Sequence, residues 1–101
     1  MNAHESGVPL FIADPKLDHI LKMMMEEKHI HTYEMEAYGT KREDGIEVAI
    51  LYGLTDKQMV TAYFTQEAVE TEDPAISKFF SETVEKCKES LIADYYKMIR
   101  L

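Results

Sequence analysis

The chain has 101 residues with 19 acidic and 11 basic side chains, and its formal charge of −8 excludes direct binding to nucleic acid or anionic membranes, which need lysines and arginines gathered on one face. Its length predicts one domain with a core that needs no metal or disulfide staple, and 46% apolar residues exclude the disordered class. A single cysteine, Cys87, excludes an internal disulfide, and without a signal-peptide pattern or the ~20 apolar residues of a membrane span the expectation is a soluble, cytoplasmic protein.

Met1 to Gly7 reads as a poorly ordered start. The apolar run Val8-Pro9-Leu10-Phe11-Ile12-Ala13 follows, and Pro9 restricts it to an edge strand or an extended lead-in. Asp14-Pro15 is an N-cap with proline at the first helical position, so a helix is predicted from Pro15 to Glu27. Its buried stripe is Leu17, Ile20, Leu21 and Met24, and of the consecutive methionines Met23 or Met25 should spill to a side.

From His29 the apolar period changes to two. A strand is predicted over His29 to Tyr38, with Tyr33, Met35 and Ala37 on the apolar face and Thr32, Glu34, Glu36 and Tyr38 on the wetter one. Thr40 to Gly45 reads as a hairpin loop in which Asp44-Gly45 supplies a positive φ. Ile46 to Tyr52 is the expected central strand, burying Ile46, Val48, Ile50 and Tyr52, and Gln58 to Thr65 is the third strand, after a turn at Gly53 to Lys57.

Gln66 to Asp73 reads as an acidic linker holding Glu67, Glu70, Glu72 and Asp73. Asp73-Pro74 then repeats the cap-plus-proline start, and the remaining residues can stay helical to the end of the chain. The predicted buried stripe is Ile76, Phe80, Val84, Cys87, Leu91, Tyr95 and Met98, supported outside by Glu82 with Lys86 and Glu85 with Lys88, and closed by Lys97 and Arg100 at the negative end of the dipole. The fold class is therefore α+β: a helix, a three-stranded antiparallel meander and a long C-terminal helix, with an optional short N-terminal strand, in two layers.

Little in this pattern carries catalysis. His29 and His31, two apart on the predicted strand, with His19 and Glu34 nearby, are the best candidates for a metal centre or small enzyme site, but no third ligand lies at a recognised spacing. Cys87 falls on a buried stripe, which suits a core residue and not a reactive thiol. No serine lies in a nucleophile elbow and no glycine-rich phosphate cradle exists, so no enzyme activity, cofactor or metal is expected.

The last helix is more informative. Its ~26 residues would span about 39 Å, whereas a domain of this size has a radius of gyration near 13 Å. A second apolar set, Ile92, Tyr96 and Ile99, lies beside the buried stripe, so this end is expected to pack against a second copy or a protein partner. The competing arrangement folds Leu10-Phe11-Ile12 over it.

The order of helix, three strands and helix resembles the double-stranded RNA-binding domain in topology alone. That family gathers lysines at the start of its second helix, where this chain has Glu70-Thr71-Glu72-Asp73-Pro74 and Lys78, so its function is not carried over. In size, acidity and layout the chain is also similar to small phage inhibitors of anti-CRISPR and anti-restriction type. That likeness implies an acidic nucleic-acid mimic that blocks a basic groove of a nucleic-acid-binding protein through Glu34, Glu36, Glu67, Glu70, Glu72 and Asp73. The first expectation is a non-enzymatic protein-binding or regulatory domain, homodimeric, that uses the last helix with Ile92, Tyr96 and Ile99 and the wetter face of the sheet; the mimic and a small enzyme or metal protein centred on His29 and His31 are the alternatives.

Overall fold

A computed structural model describes residues 7–53 and 57–99, with side chains through residue 96. The expected loose start over 1–6, the turn residues Leu54, Thr55 and Asp56, and the side chains of Lys97, Met98, Ile99 and Arg100 lie outside the described residues.

Three eight-residue strands, β2 (Met35–Arg42), β3 (Gly45–Tyr52) and β4 (Gln58–Thr65), form an antiparallel meander with β3 in the middle, and β1 (Val8–Pro9) pairs beside β2. Arg42 pairs with Gly45 across a two-residue turn. From that closing hydrogen-bonded pair, the alternation of an antiparallel ladder turns even-numbered residues of β2 toward β3 and odd-numbered ones toward the other edge. Pro9 stands opposite even-numbered Tyr38, where no N–H is required of it. On the other side the alternation points the backbone groups of Met59, Thr61 and Tyr63 away from β3, and the Gln66 amide, donating to the Asp44 carbonyl at 2.9 Å, continues the same phase.

One face of the sheet carries the core. Ile46, Val48, Ile50 and Tyr52 are buried against α2 (Pro15–Glu27), through Leu17, Leu21 and Met25, and against α4 (Pro74–Ile99), through Ile76, Phe80, Val84 and Cys87. Each such large side chain contributes roughly 1.5–3 kcal/mol through burial. Phe64 meets Phe79 and Phe80 edge-on at centroid distances of 5.8 and 6.4 Å, fixing the start of α4 over β4. Asp14 caps α2 by accepting from the amides of Lys16 and Leu17 at 3.1 and 3.2 Å, and Asp73 accepts from the Ala75 amide at 2.9 Å at the start of α4.

Several expectations are corrected. The run after Pro9 does not stay extended: α1 (Leu10–Ala13) is a short helix against α2 and β2 that buries Leu10 and leaves Phe11 and Ile12 exposed. It passes so close over β2 that a Cβ on Gly39 would lie 2.8 Å from the Ala13 Cβ. On α2, Met25 is buried while Ile20 and Met24 are only half-buried, so the buried row is Leu17, Leu21 and Met25 at every fourth position. The strand begins at Met35 and not at His29. His29 ends α2 in the left-handed region at φ 61, and a 3-10 turn over Thr32–Glu34 follows, which leaves Tyr33 79% exposed and off the apolar face.

The hairpin turn also differs, since neither Asp44 nor Gly45 is left-handed. Gly45 is the first residue of β3, and a Cβ there would fall 2.2 Å from the Phe64 carbonyl oxygen. The acidic linker contains a helix, α3 (Gln66–Glu70), capped by Thr65, whose hydroxyl accepts from the Ala68 amide at 3.1 Å. Glu85 pairs across the helix interface with Lys28 at 3.2 Å. Along α4 the stripe drifts: Leu91 is half-buried, Asp94 is buried and Tyr95 is exposed.

Candidate protein-interaction surfaces

Length alone exposes the end of α4. Twenty-six residues of helix span about 39 Å and eight-residue strands about 27 Å, so roughly the last two turns outrun the sheet. There Ile92, Tyr95 and Tyr96, at i, i+3 and i+4, share one side of the helix and are 48%, 59% and 57% exposed. The two tyrosine rings meet edge-on at 6.0 Å. Asp94, on the opposite side, is 6% exposed, and its Oδ2 has no hydrogen-bond partner among the described residues. Ile92 and Tyr96 therefore stand where the sequence places them, Tyr95 joins them from the predicted buried stripe, and the Ile99 side chain lies outside the described residues.

The second surface is the open face of the sheet. The register sets nine residues in three rows: Glu36, Leu51 and Met59; Tyr38, Ala49 and Thr61; Thr40, Glu47 and Tyr63. Polar bonds hold its margins, with the Tyr38 hydroxyl donating to Glu36 Oε1 at 2.8 Å, Arg42 Nη2 donating to Glu47 at 3.1 Å, and the Tyr63 hydroxyl donating to Asp44. These carboxylate contacts hold both phenol protons more tightly than usual, raising the pKa of Tyr38 and Tyr63.

The acidic residues do not gather into one surface. Glu34 and Glu36 lie at the Tyr52 end of the ladder, while Glu67, Glu70, Glu72 and Asp73 follow Thr65 at the other, roughly 20 Å away along the strands. Several serve local structure. Glu34 accepts from the His31 amide at 2.8 Å, Glu36 holds Tyr38, Glu72 lies 3.9 Å from Lys16, and Asp73 caps α4.

No family model, curated protein or solved structure matches this chain.

The histidines are likewise separated in role. His29 terminates α2, whereas His31 opens the 3-10 turn, its carbonyl accepting from the Glu34 amide at 2.9 Å, and its ring stacks on Tyr33 at 5.4 Å. Among the described residues no group of three or more His, Cys, Asp or Glu side chains is placed to hold a metal ion. Cys87 is fully buried, with its Sγ 4.0 Å from the Glu34 carbonyl oxygen. Burial, aided by the Glu34 charge and opposed by Lys57, pushes its pKa up to about 11. No helix among the described residues is long and apolar enough to cross a membrane.

Proposed function

We propose that this chain is a small acidic protein-binding or regulatory domain that self-associates through the last turns of α4. One observation carries the reading: Ile92, Tyr95 and Tyr96 form an exposed apolar and aromatic stripe beyond the end of the sheet, where no strand can cover it. Tyrosine supplies large contact area at low entropic cost, and isologous contacts between two such stripes need no second binding surface. The stripe carries no charge, which matters for copies that each bear −8.

Light scattering and sedimentation of Tyr96→Glu and Ile92→Glu test this. Both changes put a carboxylate at an exposed position, so the fold should melt as before. The average mass should fall at least twofold relative to the unaltered chain. An unchanged mass overturns the reading, and a lost mass accompanied by a large drop in thermal stability assigns the stripe to the fold itself.

A further inference from the structure

Among the described residues no strand pairs with the outer edge of β4. Its eight residues, Gln58–Thr65, include no charged side chain and no proline, and its register with β3 runs through all eight pairs without a bulge. Long edge strands invite pairing with another chain and are ordinarily protected by one of those devices. On a molecule of charge −8, an uncharged edge of this length is also where a second, equally acidic copy can approach without repulsion.

We propose that β4 pairs antiparallel with β4 of a second copy about a two-fold axis at Thr61, joining two four-stranded sheets into one of eight strands. With Thr65 taken up as the cap of α3, the outward-pointing residues are Met59, Thr61 and Tyr63, and Thr61 is their midpoint. With Thr61 opposite Thr61, each Met59 faces the second copy's Tyr63 on the open face, a sulfur–aromatic pair, and Val60 faces Ala62 on the other. Nothing in the paired segment sets like charges opposite one another. The antiparallel direction also brings Lys57, just before the strand, to the end of the second copy's β4, where Glu67 and Glu70 follow.

This pairing does not rest on the α4 contact, so it is tested in the Tyr96→Glu background, with full-length protein. There the chain should sediment at twice its 11.7 kDa mass. Adding Thr61→Lys, which sets two ammonium groups opposite each other on the solvent face, should weaken the pair at least tenfold and return the monomer. Separately, Thr61→Cys should form a covalent dimer under mild oxidation, because hydrogen-bonded antiparallel neighbours stand about 5.5 Å apart at Cα, within disulfide reach. Thr71→Cys, on the far side of α3, should not cross-link. Monomeric Tyr96→Glu protein, a dimer indifferent to Thr61→Lys, or equal cross-linking at both cysteines overturns the proposal. Failure of the helix reading shows elsewhere, as a Tyr96→Glu mass equal to that of the unaltered chain.

Discussion

The Ile30 amide donates to the Met25 carbonyl at 2.8 Å, closing the end of α2 with His29 held between them at φ 61. The same motif recurs where the Asp73 amide donates to the Ala68 carbonyl at 2.9 Å around Glu72 at φ 53. Glycine is the usual occupant of this position, because a Cβ in the left-handed region costs about 1 kcal/mol. His29→Gly and Glu72→Gly should therefore each stabilise the fold by about that amount, raising the melting temperature by roughly 4–6 °C. The Lys16–Glu72 pair lost in the second variant is exposed and long, so it offsets little. Thermal melts that fall in both variants would refute the left-handed assignment.

Gly39 should tolerate no enlargement. Its missing Cβ leaves room for Ala13, Ile46 and Leu10, all within 3.2 Å of where that atom would sit. Gly39→Ala is expected to lose about 1–3 kcal/mol through overpacking, measured by urea unfolding, by lifting α1 from β2. Truncating Ala13 to glycine in the same chain should recover part of the loss.

Cys87 should be silent toward thiol reagents at neutral pH, reacting only as fast as the protein unfolds. Its thiol pKa is raised from 9.0 to about 11, so the folded state holds the proton more tightly than the unfolded chain. That contribution is complete below pH 9 and is lost as pH rises through 11, about 3 kcal/mol in all. Burial of Tyr52 acts in the same direction above pH 10. In Cys87→Ala the decline in stability between pH 9 and 11 should be shallower, with the remainder due to Tyr52 and to the phenol protons that Glu36 and Asp44 hold on Tyr38 and Tyr63.

Asp94 keeps a buried Oδ2 without a hydrogen-bond partner among the described residues. Removing the side chain takes away a buried oxygen that no described residue satisfies. Asp94→Ala is expected to gain about 1 kcal/mol in chemical denaturation. A loss of stability would mean that the carboxylate is satisfied from outside the described residues.

The parts of the fold legible in the sequence are those with chemical punctuation. Asp14-Pro15 and Asp73-Pro74 locate both helix starts, and the β-rich run Gln58–Thr65 has the strand bounds read from it. The end of α2 escaped because its left-handed residue is histidine, and the alternation after it imitates a strand that begins only at Met35. Leu10–Ala13 has strand-forming residues but adopts a helical turn, since Pro9 ends the pairing and Gly39 leaves space for a coil of backbone. Of the helix stripe, Ile92 and Tyr96 could be read from spacing; Tyr95 could not, because choosing it for the core is what hydrophobicity favours over Asp94. The place of Gln58–Thr65 at the edge of the sheet was legible too, because a meander with Ile46–Tyr52 in the middle leaves the third strand outside.

The overhang of α4 divides that helix in time as well as in space. Amides from Ile76 to Cys87 sit above the buried sheet, so they can exchange with solvent only when the whole core opens. Beyond Leu91 Asp94 is the one buried side chain among the described residues, so these amides should exchange by fraying from the C-terminal end, faster and without disturbing the strands. Association at Ile92, Tyr95 and Tyr96 would slow exchange in those turns alone, so hydrogen exchange followed against protein concentration reads occupancy of this surface while the sheet serves as an internal clock.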